Sequence, residues 1–108
     1  MRDIQESLDR ISYASTIKTG ELAGSASATS FPDISCKMVN IKAVTGNSGN
    51  VYIGGSSSLT VVDGTTDITS GFELDAGQET GWMPISNLNK FWRITDNAGD
   101  DLTYIALL

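Results

Sequence analysis

The chain has 108 residues, too few for more than one domain with its own core, and such a chain buries about two-thirds of the surface that it exposes when unfolded. Its 13 acidic residues against 7 basic ones give a net charge of -6, and the Lys and Arg stand singly, so no basic stripe exists to follow a phosphate backbone. With no histidine and one cysteine, Cys36, the sequence lacks the commonest general base, the Ser-His and Cys-His nucleophile pairs, the usual zinc ligands and an internal disulfide.

In chain order, "MRDIQESLDR" mixes both charge signs and lacks the apolar centre of a signal peptide. No apolar run approaches the roughly 20 residues of a membrane helix, so the expectation is a soluble protein made in a cytoplasm, without a membrane partner. Residues 3–13 place Ile4, Leu8 and Ile11 at i, i+4 and i+7, which predicts a short amphipathic helix, with Asp3 and Glu6 at its start. A helix of that length is marginal alone in water. Its stripe needs a surface, either the chain's own β core or a partner, and Ile4, Leu8, Ile11 and Tyr13 are the candidate partner contacts. "GELAGSASATS", Gly20 to Ser30, packs no periodic face and reads as a linker. The expected organisation is an N-terminal arm over 1–30, a helix plus flexible linker, and a body over 31–108.

From Ile34 the period changes to 2. In "ISCKMVNIKAV", Val39, Ile41 and Ala43 alternate with Met38, Asn40 and Lys42, the pattern of a half-buried strand. Further strands are expected at "VYIGG", "LTVV", "ITSGFEL", "TGWMPIS", "KFWRITD" and "LTYIALL", with turns at "GNSGN", "DGTTD", "DAGQ", "NLN" and "DNAGD". Seven or eight short strands at near-regular spacing predict an all-β body, a sandwich, jelly roll or small barrel.

Four motifs bear on chemistry. "GNVYIGGSSS" spaces Gly49 and Gly54 as in a phosphate-binding loop, but Gly55 and Ser56 stand where a P-loop needs Lys and Ser or Thr, and no helix follows. The glycines read as a hairpin turn and a strand end that bends. Asp63, Asp67, Glu73, Asp75 and Glu79 could in principle supply a carboxylate pair, yet they sit where turn chemistry alone favours acids, and no catalytic residue is assigned. The acidic turns at Asp63–Asp67 and Asp96–Asp101 lack EF-hand spacing and read as solvated turns, with a calcium site as the rival. Among the aromatics, Phe91 and Trp92 are adjacent and must face opposite sides of a strand, and Trp82 and Trp92 are the candidates for a partner surface or a sugar-stacking platform.

The stretches "NVYIGGS", "VVDGTTD", "GFELDAGQETGWMPIS" and "NLNKFWRITDNAGDDLTYIALL" together resemble small virion proteins of tailed bacteriophages, the group that includes capsid decoration or cement proteins. The resemblance covers Cys36 to Leu108 and rests on a strand ending V-Y-I-G (Val51–Gly54), an L-x-A-G turn (Leu74–Gly77) and a closing aliphatic strand (Leu102–Leu108). It implies a non-enzymatic protein without cofactor or metal, with a β-sandwich or jelly-roll body. It further implies self-association and attachment to the major capsid protein at the surface of a virion. Closed symmetry suits such a homo-oligomer, with a trimer as the guess. The alternative from another class is a carbohydrate-binding or host-recognition module.

Overall fold

A computed structural model of the chain describes residues 16–61 and 70–108. In chain order these form β1 (Ile17–Leu22), β2 (Thr29–Ser30), β3 (Met38–Ala43), β4 (Val51–Gly54), β5 (Phe72–Leu74), β6 (Met83–Pro84), one 3-10 turn (Leu88–Lys90), β7 (Trp92–Thr95) and β8 (Leu102–Leu107). The strands make two antiparallel four-stranded sheets, ordered β1-β8-β3-β6 and β2-β7-β4-β5. The all-β sandwich expected from strand spacing is the fold. The helix expected over residues 3–13 lies outside the described residues.

Alternation builds the core. On β3, Val39, Ile41 and Ala43 are fully buried, and β8 does the same with Leu102, Tyr104 and Ala106. These inner faces meet Val51 and Ile53 of β4 and Leu74 of β5, with Phe31 and Leu88 closing the sides. Each large side chain so buried contributes about 1.5–3 kcal/mol relative to exposure, so one continuous core holds the two sheets together. Phe31 also stacks at a tilt on Phe91, ring centroids 5.9 Å apart, under the Arg93 guanidinium. Asn87 fixes the 3-10 turn beside them: its Oδ1 accepts from the N–H groups of Ile34 (3.1 Å) and Asn89 (2.9 Å).

The linker expected at residues 20–30 is instead part of the sandwich. β1 pairs with β8 from Ile17↔Leu107 to Leu22↔Leu102, and β2 joins β7. Between them Gly24 N–H donates to Asp101 Oδ1 (3.1 Å) and Ser25 N–H to Thr95 Oγ1 (3.0 Å), while Thr95 N–H returns to the Ser25 carbonyl (3.0 Å). The small residues are there for close approach rather than for flexibility. A Cβ on Gly20 would lie 2.6 Å from Tyr104 Oη, because the tyrosine ring covers that edge glycine.

Candidate interaction surface

The loop that resembles a phosphate cradle does hold an anion, and the anion is the chain's own Asp100. Ser48 N–H (3.0 Å) and Gly49 N–H (3.1 Å) both donate to Asp100 Oδ1, while Asn97 donates to Oδ2 from its backbone N–H (3.0 Å) and from Nδ2 (2.9 Å). Asp100 is 1% exposed. Burial by itself pushes its carboxyl up, but the hydrogen bonds from Gly49, the Asn97 side chain, Ser48 and the Asn97 backbone outweigh it and hold the group below its ordinary value. A Cβ on Gly49 would sit 2.7 Å from Asp100 Oδ2, so the glycine is needed for this internal contact. The neighbouring acids are engaged in the same way. Asp96 accepts from Asn50 N–H (2.8 Å) and the Tyr52 hydroxyl (3.1 Å), and Asp101 accepts from Gly24.

These bonds occupy oxygens of the Asp96–Asp101 turn that a calcium reading would need, and the described residues contain no group of three acids or cysteines placed to hold a metal. Of the candidate carboxylate pair, Asp63 and Asp67 lie outside the described residues. Glu73 sits on β5 of the second sheet and accepts from the Asn50 side chain, whereas Glu79 bridges to Lys42 on the first sheet. They belong to different sheets. Cys36 is half-buried, its thiol donates to the Ile85 carbonyl (3.4 Å), and burial pushes its pKa up.

The two sheets treat their outer faces differently. On the second sheet, Tyr52 and Ile94 are register partners that point away from the main core and form a second buried cluster with Leu59, flanked by Ala28, Val61 and Trp92. "LTVV" is thus not a strand over Leu59 to Val61, because Leu59 folds back as a cover. Its Cδ1 lies 2.7 Å from a Cβ built on Gly54 and 2.5 Å from one on Gly71. Thr60 N–H donates to Ser70 Oγ (3.2 Å) and Ser70 N–H to Thr60 Oγ1 (3.2 Å), which pins the two ends of the excursion together.

The first sheet has no such cover among the described residues. Its register lines up Ile17, Leu107, Met38 and Pro84 as one row of apolar residues across all four strands. Ile17 is 64% exposed. Two residues along each strand come Thr19, Ile105 and Asn40, and then Glu21, Thr103 and Lys42, with Glu79 bridged to Lys42. Here the sheet is hollowed into an open groove of about 440 Å³, lined by Thr19, Asn40, Lys42, Glu79, Thr103 and Ile105. Asn40 Nδ2 donates to Glu79 Oε1 (3.3 Å), while its Oδ1 is buried with no donor among the described residues. Lys42 is exposed, and no carboxylate among the described residues pairs with its ammonium. Trp82, 46% exposed, precedes Met83, which packs into the core, so the indole stands on the opposite, outward side.

Of the residues singled out in the sequence, Trp82 is thus at the rim of the open face and Trp92 is half-buried against the second cluster. Ile4, Leu8, Ile11 and Tyr13 lie outside the described residues. Sequence reading gave no surface role to Ile17, Met38 and Lys42 and weighed Glu79 only as a carboxylate, though the outward phase of "MVNIKA" already put Met38 and Lys42 on one face. No protein-family model, no curated protein and no solved structure matches the chain.

Proposed function

We propose that the chain is a non-enzymatic structural protein of a bacteriophage virion, which self-associates and decorates the capsid shell through protein–protein contacts. The observation that carries this reading is the uneven treatment of the outer faces: on the second sheet the chain's own Leu59 covers Tyr52 and Ile94, and the exposed Phe72 stands on its edge strand, whereas the first leaves Ile17 and Trp82 in solvent beside a Lys42 that no carboxylate among the described residues pairs with. Exposed apolar residues in a row mark a surface meant for another protein. The resemblance to decoration proteins supplies the partner, the major capsid protein. Thr16 lies next to this row, its carbonyl accepting from Leu108 N–H (2.8 Å). Ile4, Leu8, Ile11 and Tyr13 are the proposed contacts to the shell on sequence grounds, and many weak contacts add up through copy number.

The test is co-sedimentation of the purified chain with intact capsids. Wild-type chain is expected in the pellet, and a variant carrying Ile4→Asp and Leu8→Asp in the supernatant. Equal occupancy for the two chains would remove the arm from the mechanism, and wild-type chain left in the supernatant would remove the capsid. The second reading, a carbohydrate-binding module, draws on the groove, whose hydroxyl, amide, ammonium and carboxylate groups suit a polyhydroxylated partner. Binding on a glycan array that is lost with Trp82→Ala would favour it.

A further inference from the structure

We propose that the groove on the outer face of the first sheet is a binding site for a neutral oligosaccharide, which lies across the strands with one sugar stacked on Trp82. This deepens the second of the two readings above, rests on it, and does not involve the capsid. The groove runs between two rows of the register. Thr19, Ile105 and Asn40 form one side, while Thr103 and Lys42 continue to Glu79 on the other. It crosses from β1 over β8 and β3 to the segment that carries Glu79, three spacings of about 4.8 Å, or about 14 Å in all. Its volume of about 440 Å³ falls in the range of small-ligand sites, and its length suits a short chain of sugars rather than one.

The backbone is irregular beside this groove. Between the pairs Val39↔Met83 and Lys42↔Glu79 stand two residues on β3, Asn40 and Ile41, but three on the other side, Thr80, Gly81 and Trp82. The extra residue makes a bulge: Gly81 takes a positive φ of 79°, and Thr80 Oγ1 accepts from Ile41 N–H (3.1 Å) and donates to the Gly81 carbonyl (2.7 Å). Bulges re-aim side chains and recur next to functional sites. This one sets Trp82, 46% exposed, where the chain passes Asn40 at the end of the groove. An indole offers a flat apolar face on which the C–H side of a sugar ring can stack.

The polar groups of the groove are available in both senses. Glu79 Oε1 accepts from Asn40 Nδ2 (3.3 Å), and no donor among the described residues reaches its Oε2. Lys42 has no carboxylate partner among the described residues, and the Thr19 and Thr103 hydroxyls make no hydrogen bond with them. Asn40 holds the carboxylate while its own Oδ1 stays buried without a donor, which lowers stability and marks an arrangement that serves a site rather than the fold. Sugar hydroxyls both donate and accept, so a vicinal pair can donate to Glu79 and accept from Lys42. Charge selects among sugars. One cation and one anion leave the groove neutral, and the chain's net charge of -6 repels an acidic glycan, so a neutral one fits. Each of these bonds replaces one to water, so binding is weak, with a dissociation constant of about 1 mM.

Heteronuclear NMR of the full chain, titrated to about 10 mM with cellotriose, maltotriose or chitotriose, reads the site, with trigalacturonic acid as the acidic control. At least one neutral trisaccharide should shift the amides of Thr19, Asn40, Lys42 and Thr103 together and change the tryptophan fluorescence, with a midpoint of about 1 mM. Trp82→Ala and Glu79→Gln should each weaken binding about tenfold, and Trp82→Phe should keep part of what alanine loses. Both positions are exposed, and far-UV circular dichroism checks that each variant keeps the fold. Binding that Trp82→Ala leaves unchanged, shifts confined to the Trp92 side, or a preference for the acidic trisaccharide would overturn this inference and leave a carbohydrate-binding module in place. No shift with any of the four sugars would overturn both. Shifts of the same amides that follow protein concentration without sugar would give the face to a second copy and overturn the inference too. Capsid co-sedimentation fails or succeeds independently of these outcomes.

Discussion

Asp100→Asn is the sharpest probe of what holds the sandwich's loop end together. The carboxylate is 1% exposed and accepts two bonds from Asn97 on Oδ2, and bonds from Ser48 and Gly49 on Oδ1. An asparagine keeps one acceptor. Its NH2 group must then face two donors, on either the Asn97 side or the Ser48–Gly49 side. Hydrogen bonds to a charged acceptor contribute about 1.5–3 kcal/mol each. Losing two costs about 3–6 kcal/mol, and the easier burial of a neutral amide returns part of this, leaving about 3 kcal/mol. For a chain of this length the melting temperature should fall by about 12–20 °C. Urea unfolding followed by circular dichroism at pH 7 measures the loss. The pH dependence has a definite sign. Because the folded pKa lies below the ordinary 3.8, the stabilisation is fully present above 3.8 and is lost as pH falls through the folded value. The gap between wild type and variant should therefore be constant from pH 7 to about 5 and close only in strong acid. A difference under about 1 kcal/mol at pH 7, or a gap that widens as pH falls below 3.8, would refute the assignment of Asp100 as an internal anion.

Other positions give further tests. Gly71→Ala puts a methyl group 2.5 Å from Leu59 Cδ1 and should cost about 1–3 kcal/mol; in a double-mutant cycle Leu59→Ala should recover part of that, and strict additivity would deny the contact. Asn87→Ala removes the acceptor shared by Ile34 and Asn89 N–H and should cost about 1–2 kcal/mol in thermal unfolding. Cys36, with its pKa raised by burial, should react with a thiol reagent at neutral pH much more slowly in the folded chain than in urea; equal rates would mean that the thiol is not shielded.

What was legible in the sequence follows from where side chains carry the information. β3 and β8 bury one residue in two, so Val39, Ile41 and Ala43 announce their face, and so does the run from Leu102 to Ala106. β1 carries no such signal. Its residue opposite Tyr104 is Gly20, and the inward position before it is Lys18, so backbone pairing alone makes it a strand. Leu59 was misread because its cluster lies outside the main core, against Tyr52 and Ile94. Asp100 was legible only as a turn residue, since the donors that surround it come from Ser48 and Gly49 in a distant turn. The open face was half-visible. The outward phase of one strand can be read, but a row across four strands exists only once the register is known.

The edges of the first sheet bear on how that face is used. Antiparallel sheets commonly leave one side in water, and a polar outer face would need no explanation. Here the row from Ile17 to Pro84 departs from that pattern at every strand, while both edges are defended. β6 is only two residues long and ends in Pro84, which has no N–H to offer, and β1 carries the exposed Lys18 in an inward register position. Short strands, prolines and inward charges are the devices that stop edge-to-edge pairing. A chain whose sheet edges are blocked in this way leaves its outer face, with the apolar row from Ile17 to Pro84, as the side open to the proposed self-association. An edge-paired assembly would instead be insensitive to a charge placed at the exposed Ile17, so Ile17→Asp separates the two modes of association.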